Sequence, residues 1–326
     1  MQTTNLRFIH ALTGTLVFAL CVAGAAAQDY PNRAIKVINP WPAGGAADVI
    51  ARPILQKLSE TLGQPVVMGN KSGANGTIGA AAATQAAPDG YTLFLAHVGP
   101  IAISPAMQAL PYDSVKDFQP ITQLVSGPLV LVVRPELPIR NTNELIAYAK
   151  ANPGKVSYGP VGQGSTTHLA GEMLGLMAGV KLLHIPYRGK GAVTTDLLGG
   201  QIDIALINIA GALPFVNPER LRPIAVTTLK RSAVLPNLPT VAETLPGFEV
   251  NSWYGLMAPA GTPKPIINRL YLEVAKILKA PDIIEQMKTA GLDIEGSTPE
   301  QYSAKIKDDL ARWSKLVKTT GVTAAN

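Results

Sequence analysis

The chain is 326 residues long, 47% hydrophobic and 15% charged, with a formal net charge of +6. Its Lys and Arg residues form no run and do not interleave with aromatics, which argues against a nucleic-acid groove. A mildly basic chain of this length suits one large or two ordinary domains and a small anionic solute.

The N-terminus reads as an export signal: Arg7 and His10 in a polar start, an apolar stretch over 11–24, then Ala25-Ala26-Ala27 as a cleavage site before Gln28. Cys21, the only cysteine, lies inside that signal, and Phe18-Ala19-Leu20 before it lacks the small residues of a lipoprotein site. Removal of residues 1–27 leaves a chain with neither thiol nor disulfide. No later apolar run reaches the ~18 residues of a membrane span. The nearest, 204–216, carries Asn208 and Pro214.

After the signal, strands and helices alternate. A strand is predicted over 34–39, a helix over 46–62 with Ile50, Ile54, Leu55 and Leu58 on one face, and a strand over 65–68. An alanine-rich helix over 76–87 is stopped by Pro88-Asp89-Gly90, and a doubly buried strand follows over 91–96. This βαβαβ order implies parallel pairing. A second unit follows: a strand over 129–133, a helix over 141–152, a strand over 156–158, a helix over 166–178, a strand over 182–186 and a helix about 193–198. Strands over 202–208 and 221–227 complete it, so two α/β lobes are expected. The tail adds a strand over 252–258 and an amphipathic helix over 265–278. The capping box Thr298-Pro299-Glu300-Gln301 then opens a last helix with Tyr302, Ile306, Leu310, Trp313 and Leu316 as core positions. These helices are expected to return to the first lobe.

Two loops could hold an anion. Pro40-Trp41-Pro42-Ala43-Gly44-Gly45-Ala46-Ala47-Asp48 joins the first strand to the first helix, where free N–H groups and the helix dipole attract a carboxylate or phosphate. A plain glycine turn explains the same residues equally well, and Asp48 reads as a structural residue. The second loop, Gly162-Gln163-Gly164-Ser165-Thr166-Thr167-His168, also follows a strand and opens a helix. It offers Ser165 or Thr166 as N-cap and three hydroxyls as donors. One such site in each lobe would clamp a carboxylate from both sides. Tyr187 and Arg188 stand past a strand end, where ligands collect in open sheets, and Arg188 could instead bridge to Asp196. Asn208 ends an apolar strand and is a plausible ligand contact. Catalysis has little support: Ser165 and His168 are three apart on a helix start, there is no G-x-S-x-G elbow, and no P-loop. His97, His168 and His184 lack the company of a metal site, so no metal or cofactor is expected.

These motifs resemble the Bug family, the periplasmic substrate-binding proteins of tripartite tricarboxylate transporters. The similarity runs from about Tyr30 to the C-terminus through nine segments in order. They begin with Tyr30-Pro31, Pro42-Ala43-Gly44-Gly45-Ala46-Ala47-Asp48, Asn70-Lys71-Ser72-Gly73-Ala74-Asn75-Gly76 and Pro88-Asp89-Gly90-Tyr91-Thr92-Leu93. Gly164-Ser165-Thr166-Thr167-His168-Leu169-Ala170-Gly171-Glu172, His184-Ile185-Pro186-Tyr187-Arg188-Gly189 and Leu198-Gly199-Gly200-Gln201-Ile202-Asp203 continue the set. Trp253-Tyr254-Gly255-Leu256 and Ala258-Pro259-Ala260-Gly261-Thr262-Pro263 end it.

The resemblance implies a type II periplasmic binding protein, with two α/β lobes joined by two crossing strands. Lobe 1 would comprise 28–127 plus 251–326, and lobe 2 would comprise 128–250. The loops matching Trp41, Ala43, Gly44, Gly45 and Ala46, and Gly164, Ser165, Thr166 and Thr167, would hold one carboxylate of a small organic acid. His97, Val98 and Gly99, with Asn208, Ile209 and Ala210, would read the rest of the ligand. The family often has an acidic residue near Asn208, and the amide here weighs against an amine-bearing ligand. A monomer delivering its ligand to the membrane permease is implied. A carboxylate sensor feeding a membrane signalling partner, and an exported hydrolase or isomerase, are the alternatives.

Overall fold

The computed structural model describes residues 30–162, 164–187, 190–216 and 220–322, so the export signal lies outside the described residues. Strand β1 (Ile35–Asn39), helix α1 (Ala46–Leu62), β2 (Val66–Asn70), α2 (Thr77–Thr84) and β3 (Thr92–His97) form the first βαβαβ unit. β1 pairs in parallel with both β2 and β3. α1 buries Ile50, Ile54, Leu55 and Leu58, the face its periodicity predicts, under Val37 and Leu93 of the sheet.

A single strand of 16 residues, β4 (Phe118–Val133), then joins the two halves of the molecule. From Phe118 to Pro128 it pairs antiparallel with β9 (Asn251–Pro259), which pairs on its other edge with β3. From Leu129 to Val133 it pairs with β7 (Ile204–Asn208), and from Val130 also with β8 (Arg222–Val226). The second half is built around these strands by α3 (Thr142–Ala151), β5 (Ser157–Tyr158), α4 (Thr166–Ala178), β6 (Leu183–His184) and α5 (Lys190–Leu198). The path through the sheet is β2-β1-β3-β9-β4-β7-β5-β6. The chain therefore has the two-lobed α/β plan expected, with β4 and the start of β9 as its crossings.

The tail comprises α6 (Lys264–Ile277), α7 (Pro281–Thr289), β10 (Asp293–Ile294) and α8 (Pro299–Thr320). α6 and α7 bury Ile266, Leu270, Ile283 and Met287 in the same core as α1, as expected for a return to the first lobe. α8 begins at the predicted capping box, with Thr298 and Gln301 exchanging both hydrogen bonds. It departs from the expectation at its far end. Trp313 and Leu316 join a core shared with Met173 and Met177 of α4, so this helix leans on both lobes.

Two attachments hold α8 down. Asp309, 2% exposed, accepts from the Trp253 indole at 2.7 Å and from Lys305 at 2.9 Å, which satisfies a buried charge. Gly255 of β9 lies directly beneath Tyr302, and a Cβ added there would run into the Tyr302 ring and hydroxyl. Gly255→Ala is therefore expected to cost about 1–3 kcal/mol of stability by overpacking. A denaturant midpoint equal to that of the unsubstituted protein would show instead that α8 can shift to make room.

Candidate ligand-binding site

The first loop is shaped from beneath by two buried polar residues. Asn39, at the end of β1, accepts from the Trp41 N–H at 3.1 Å and donates to Asp48 at 3.2 Å. Asp48 also accepts from the Gly44 N–H at 2.7 Å and pairs with Arg52 at 3.2 Å. Asp48 is thus the structural residue its position suggested. It also occupies the Gly44 donor, so Gly44 contributes the shape of the turn and not an N–H to the cleft. The remainder stays open: α1 begins at Gly45 with no side-chain cap. Among the described residues nothing accepts from the N–H groups of Ala43, Gly45 and Ala46. Helix starts left in that state attract anions. In the same loop the Trp41 indole Nε1 is buried without a partner.

The second loop is more heavily tied than the sequence suggested. Ser165 is the N-cap of α4, accepting from the His168 N–H at 3.3 Å while its hydroxyl donates to the Gly162 carbonyl at 2.6 Å. Thr167 accepts from the Val161 N–H at 2.8 Å and shares a 2.9 Å hydrogen bond with Ser165. Of the three hydroxyls expected to donate to a ligand, only that of Thr166, a residue 3% exposed, has no partner. Ser165 and Thr167 hold the loop, and Thr166, the first residue of α4, keeps its hydroxyl free.

Gly164 is gripped on both sides of its own residue. Its N–H donates to His168 Nδ1 at 3.0 Å, and its carbonyl accepts from Asn75 Nδ2 at 2.8 Å. The first of these bonds requires His168 to be neutral with its proton on Nε2. Burial, helped by the adjacent His184, lowers the His168 imidazole to about 4. His184 stacks on His168 with centroids 4.4 Å apart, and its own Nε2 is buried without a partner. Glu172 receives the Tyr158 hydroxyl and lies 3.8 Å from His168 Nε2.

The segment before α2 brings the two loops together. Asn70 donates to the Trp41 carbonyl at 2.7 Å, the Lys71 N–H donates to the Asn39 carbonyl at 2.8 Å, and Asn75 reaches Gly164. Asn39, Asn70 and Asn75 are the polar residues that sequence reasoning did not single out. A signal existed for Asn75, an asparagine directly before Gly76, since asparagine tolerates left-handed backbone.

The remaining candidates divide. His97 is 5% exposed, with Nδ1 accepting from the Gly99 N–H at 3.0 Å and Nε2 bonded to Ser252 at 3.0 Å. Burial pushes its imidazole down to about 3, and the Trp41 ring stands edge-on to it at 5.1 Å. With both nitrogens engaged it supports Trp41 and the helical turn Gly99–Ile103. Val98 is fully buried, leaving only its backbone to meet a ligand. Burial, with the 2.6 Å hydrogen bond that its hydroxyl donates to Asp196, raises Tyr187 to about 12, and that bond ties the segment after β6 to α5. Arg188 lies outside the described residues. Asn208 ends β7 half-buried, its Oδ1 without a partner.

Among the described residues no group of three His, Cys, Asp or Glu could hold a metal ion. Nor is any described helix long and apolar enough to cross a membrane. The two loops, joined through Asn75, each open a helix and each hold one buried unpartnered donor, the Trp41 Nε1 in the first and the Thr166 hydroxyl in the second.

Comparison with known proteins agrees. Residues 50–322 match the family model of the tripartite tricarboxylate transporter family receptor. The chain is similar to the structure of periplasmic binding protein BugD, with 38% identity and a TM-score of 0.81 over 90% of this chain and 99% of that one. It is similar to Rpa4515 of R. palustris with adipate, at 34% identity and a TM-score of 0.84 over 90% of this chain and 99% of that one. Against MatC of Rhodopseudomonas palustris with bound malate the identity is 31% and the TM-score 0.80, over 88% and 100% of the two chains.

Proposed function

The chain belongs to the tripartite tricarboxylate transporter receptor family, and from that premise we propose that it captures a small organic acid in the periplasm and delivers it to a membrane permease. The family is one of receptors, and the chain is a binding protein, not an enzyme. The observation that carries the reading is the pair of helix starts, one in each lobe, with the unpartnered Trp41 Nε1 beside one and the unpartnered Thr166 hydroxyl beside the other.

Charge-assisted hydrogen bonds contribute about 1.5–3 kcal/mol each. Four of them sum to about 6–12 kcal/mol, so after an association cost of several kcal/mol they support at best about micromolar affinity, and apolar contact must supply anything tighter. The relatives with adipate and malate support a dicarboxylate-sized ligand. Asn208, an amide with a free acceptor oxygen, suits a ligand hydroxyl or a second carboxyl group in its protonated form. We place the hinge at 127–128 and 250–251, where β4 exchanges β9 for β7 and β8 and the chain re-enters the first lobe.

A thermal-shift screen of the mature protein against adipate, malate, citrate, aspartate and benzoate tests this. At least one acid is expected to raise the melting temperature in proportion to the logarithm of its concentration. Absence of any shift at millimolar acid would remove the reading. Ser165→Ala deletes a helix cap worth about 1 kcal/mol and releases Thr167, so roughly tenfold weaker binding is expected. Calorimetric titration measures it.

A further inference from the structure

We propose that Asn75 is an interlobe latch that aligns the second loop when the cleft closes and sets how readily the cleft opens. This rests on the two-lobed carboxylate reading above. Three observations converge on the residue. Asn75 has φ 53° and ψ 33°, and Ala74 before it has φ 44°. Two successive non-glycine residues in the left-handed region are costly, and such backbone persists where its surroundings demand it.

The second observation is what the side chain touches. Asn75 Nδ2 donates to the Gly164 carbonyl at 2.8 Å, across 89 positions of chain, and lies 3.2 Å from the Ser104 hydroxyl. The third is that Gly164 is met by the first lobe on another side. A Cβ at Gly164 would stand 3.2 Å from Met107 Sδ, so Met107 packs against it. Ser104 and Met107 belong to one short helix, Ser104–Met107. Asn75 and this helix therefore enclose the residue that precedes the N-cap of α4.

The hydrogen bond has a direct mechanical meaning. It joins a residue whose loop anchors Trp41 to a residue whose loop presents Thr166. It exists only when the lobes are together, so it stabilises the closed form over the open one. It also fixes the carbonyl of Gly164 while His168 fixes the N–H, which holds the following N–H groups of α4 in one orientation. A protein whose binding-competent form is less populated binds its ligand more weakly by that fraction.

The test separates the amide from the turn. Asn75→Gly keeps the left-handed turn without strain and removes only the amide. Asn75→Asp keeps the shape and sets a carboxylate oxygen against the Gly164 carbonyl. The mature chain has no cysteine, so spin labels at Lys116→Cys and Lys155→Cys report the interlobe distance uniquely. In the ligand-free protein, Asn75→Gly is expected to move the distance distribution towards longer values, and Asn75→Asp further. Off-rates for adipate and malate are expected to rise about tenfold in Asn75→Gly, the effect of one such bond. A distribution and off-rates in Asn75→Gly equal to those with Asn75 intact would overturn the latch. If none of the acids of the thermal screen binds the unsubstituted protein, the carboxylate reading fails, and the ligand-free distances still decide the latch.

Discussion

Gly164→Val is expected to weaken carboxylate binding by roughly thirtyfold, while the variant remains folded. Gly164 has φ +70°, a region that a β-branched side chain enters only at a cost of roughly 1–2 kcal/mol. Its new side chain would also press on Met107, whose Sδ lies 3.2 Å from the Cβ position. Relief of either strain turns the residue away from His168 and Asn75, losing bonds worth about 1 kcal/mol each. The two bonds together are worth about 2 kcal/mol, roughly thirtyfold in affinity. Calorimetric titration with the best acid from the thermal screen measures the loss. Circular dichroism of the variant separates it from unfolding. Affinity within threefold of the unsubstituted protein would mean that the second loop does not hold the ligand.

Acid is expected to destabilise the protein, beginning well above the range in which carboxylates titrate. His168 and His97 are buried neutral, with folded values lowered to about 4 and about 3. An exposed histidine in the unfolded chain titrates near 6.5. Between about 6.5 and these lower values the unfolded chain binds more protons, so stability falls as pH falls. The contribution is fully present above about 6.5 and is lost progressively down to about 4 for His168 and about 3 for His97.

The loss is on the order of a few kcal/mol for each ring. Carboxylates held low act later; Glu243, paired with Arg231, is lowered to about 2. Urea unfolding at pH 7, 6, 5 and 4.5 gives the slope. His97→Asn and His168→Gln, though less stable at pH 7, are expected to flatten it. A slope near zero between pH 6.5 and 4.5 in the unsubstituted protein would show that these rings accept protons without penalty. Ligand affinity should hold through that range and fall only near pH 4, where the folded His168 gains a proton and its Nδ1 can no longer accept from Gly164.

Much of the fold was legible from local pattern. α1 and α4 run over the ranges read from the sequence, 46–62 and 166–178, because each has an apolar stripe, a glycine past its end and a turn at its start. The first half of β4 was not read, since Pro120, Gln123, Ser126, Gly127 and Pro128 break any apolar alternation. Its burial comes from β9 on one side and β10 on the other, partners remote in sequence. The helical turns over 99–107 were hidden by Gly99, Pro100 and Pro105. α7 escaped notice because only Ile283 and Met287 are buried.

Both anion loops were legible as glycine turns between strand and helix. The division of labour inside them was not. That Asp48 takes up the Gly44 N–H, and that Ser165 and Thr167 spend their hydroxyls on the loop itself, depends on angles that spacing does not encode. The family resemblance puts His97 near a ligand, and position after a strand does so for Tyr187, yet Ser252 and Asp196 claim their polar atoms.

The placement of β9 bears on how the molecule comes into being. Between β3 and the first half of β4 the sheet has a gap that only residues 251–259 fill, pairing Phe94 with Met257 and Ser126 with Trp253. Every strand of the second lobe precedes that point in the chain. A polypeptide emerging from its N-terminus can therefore complete the second lobe first, while the first waits for its middle strand. Pairings of such long separation form late. A chain interrupted before Asn251 would possess one finished lobe and both anion loops, and no cleft.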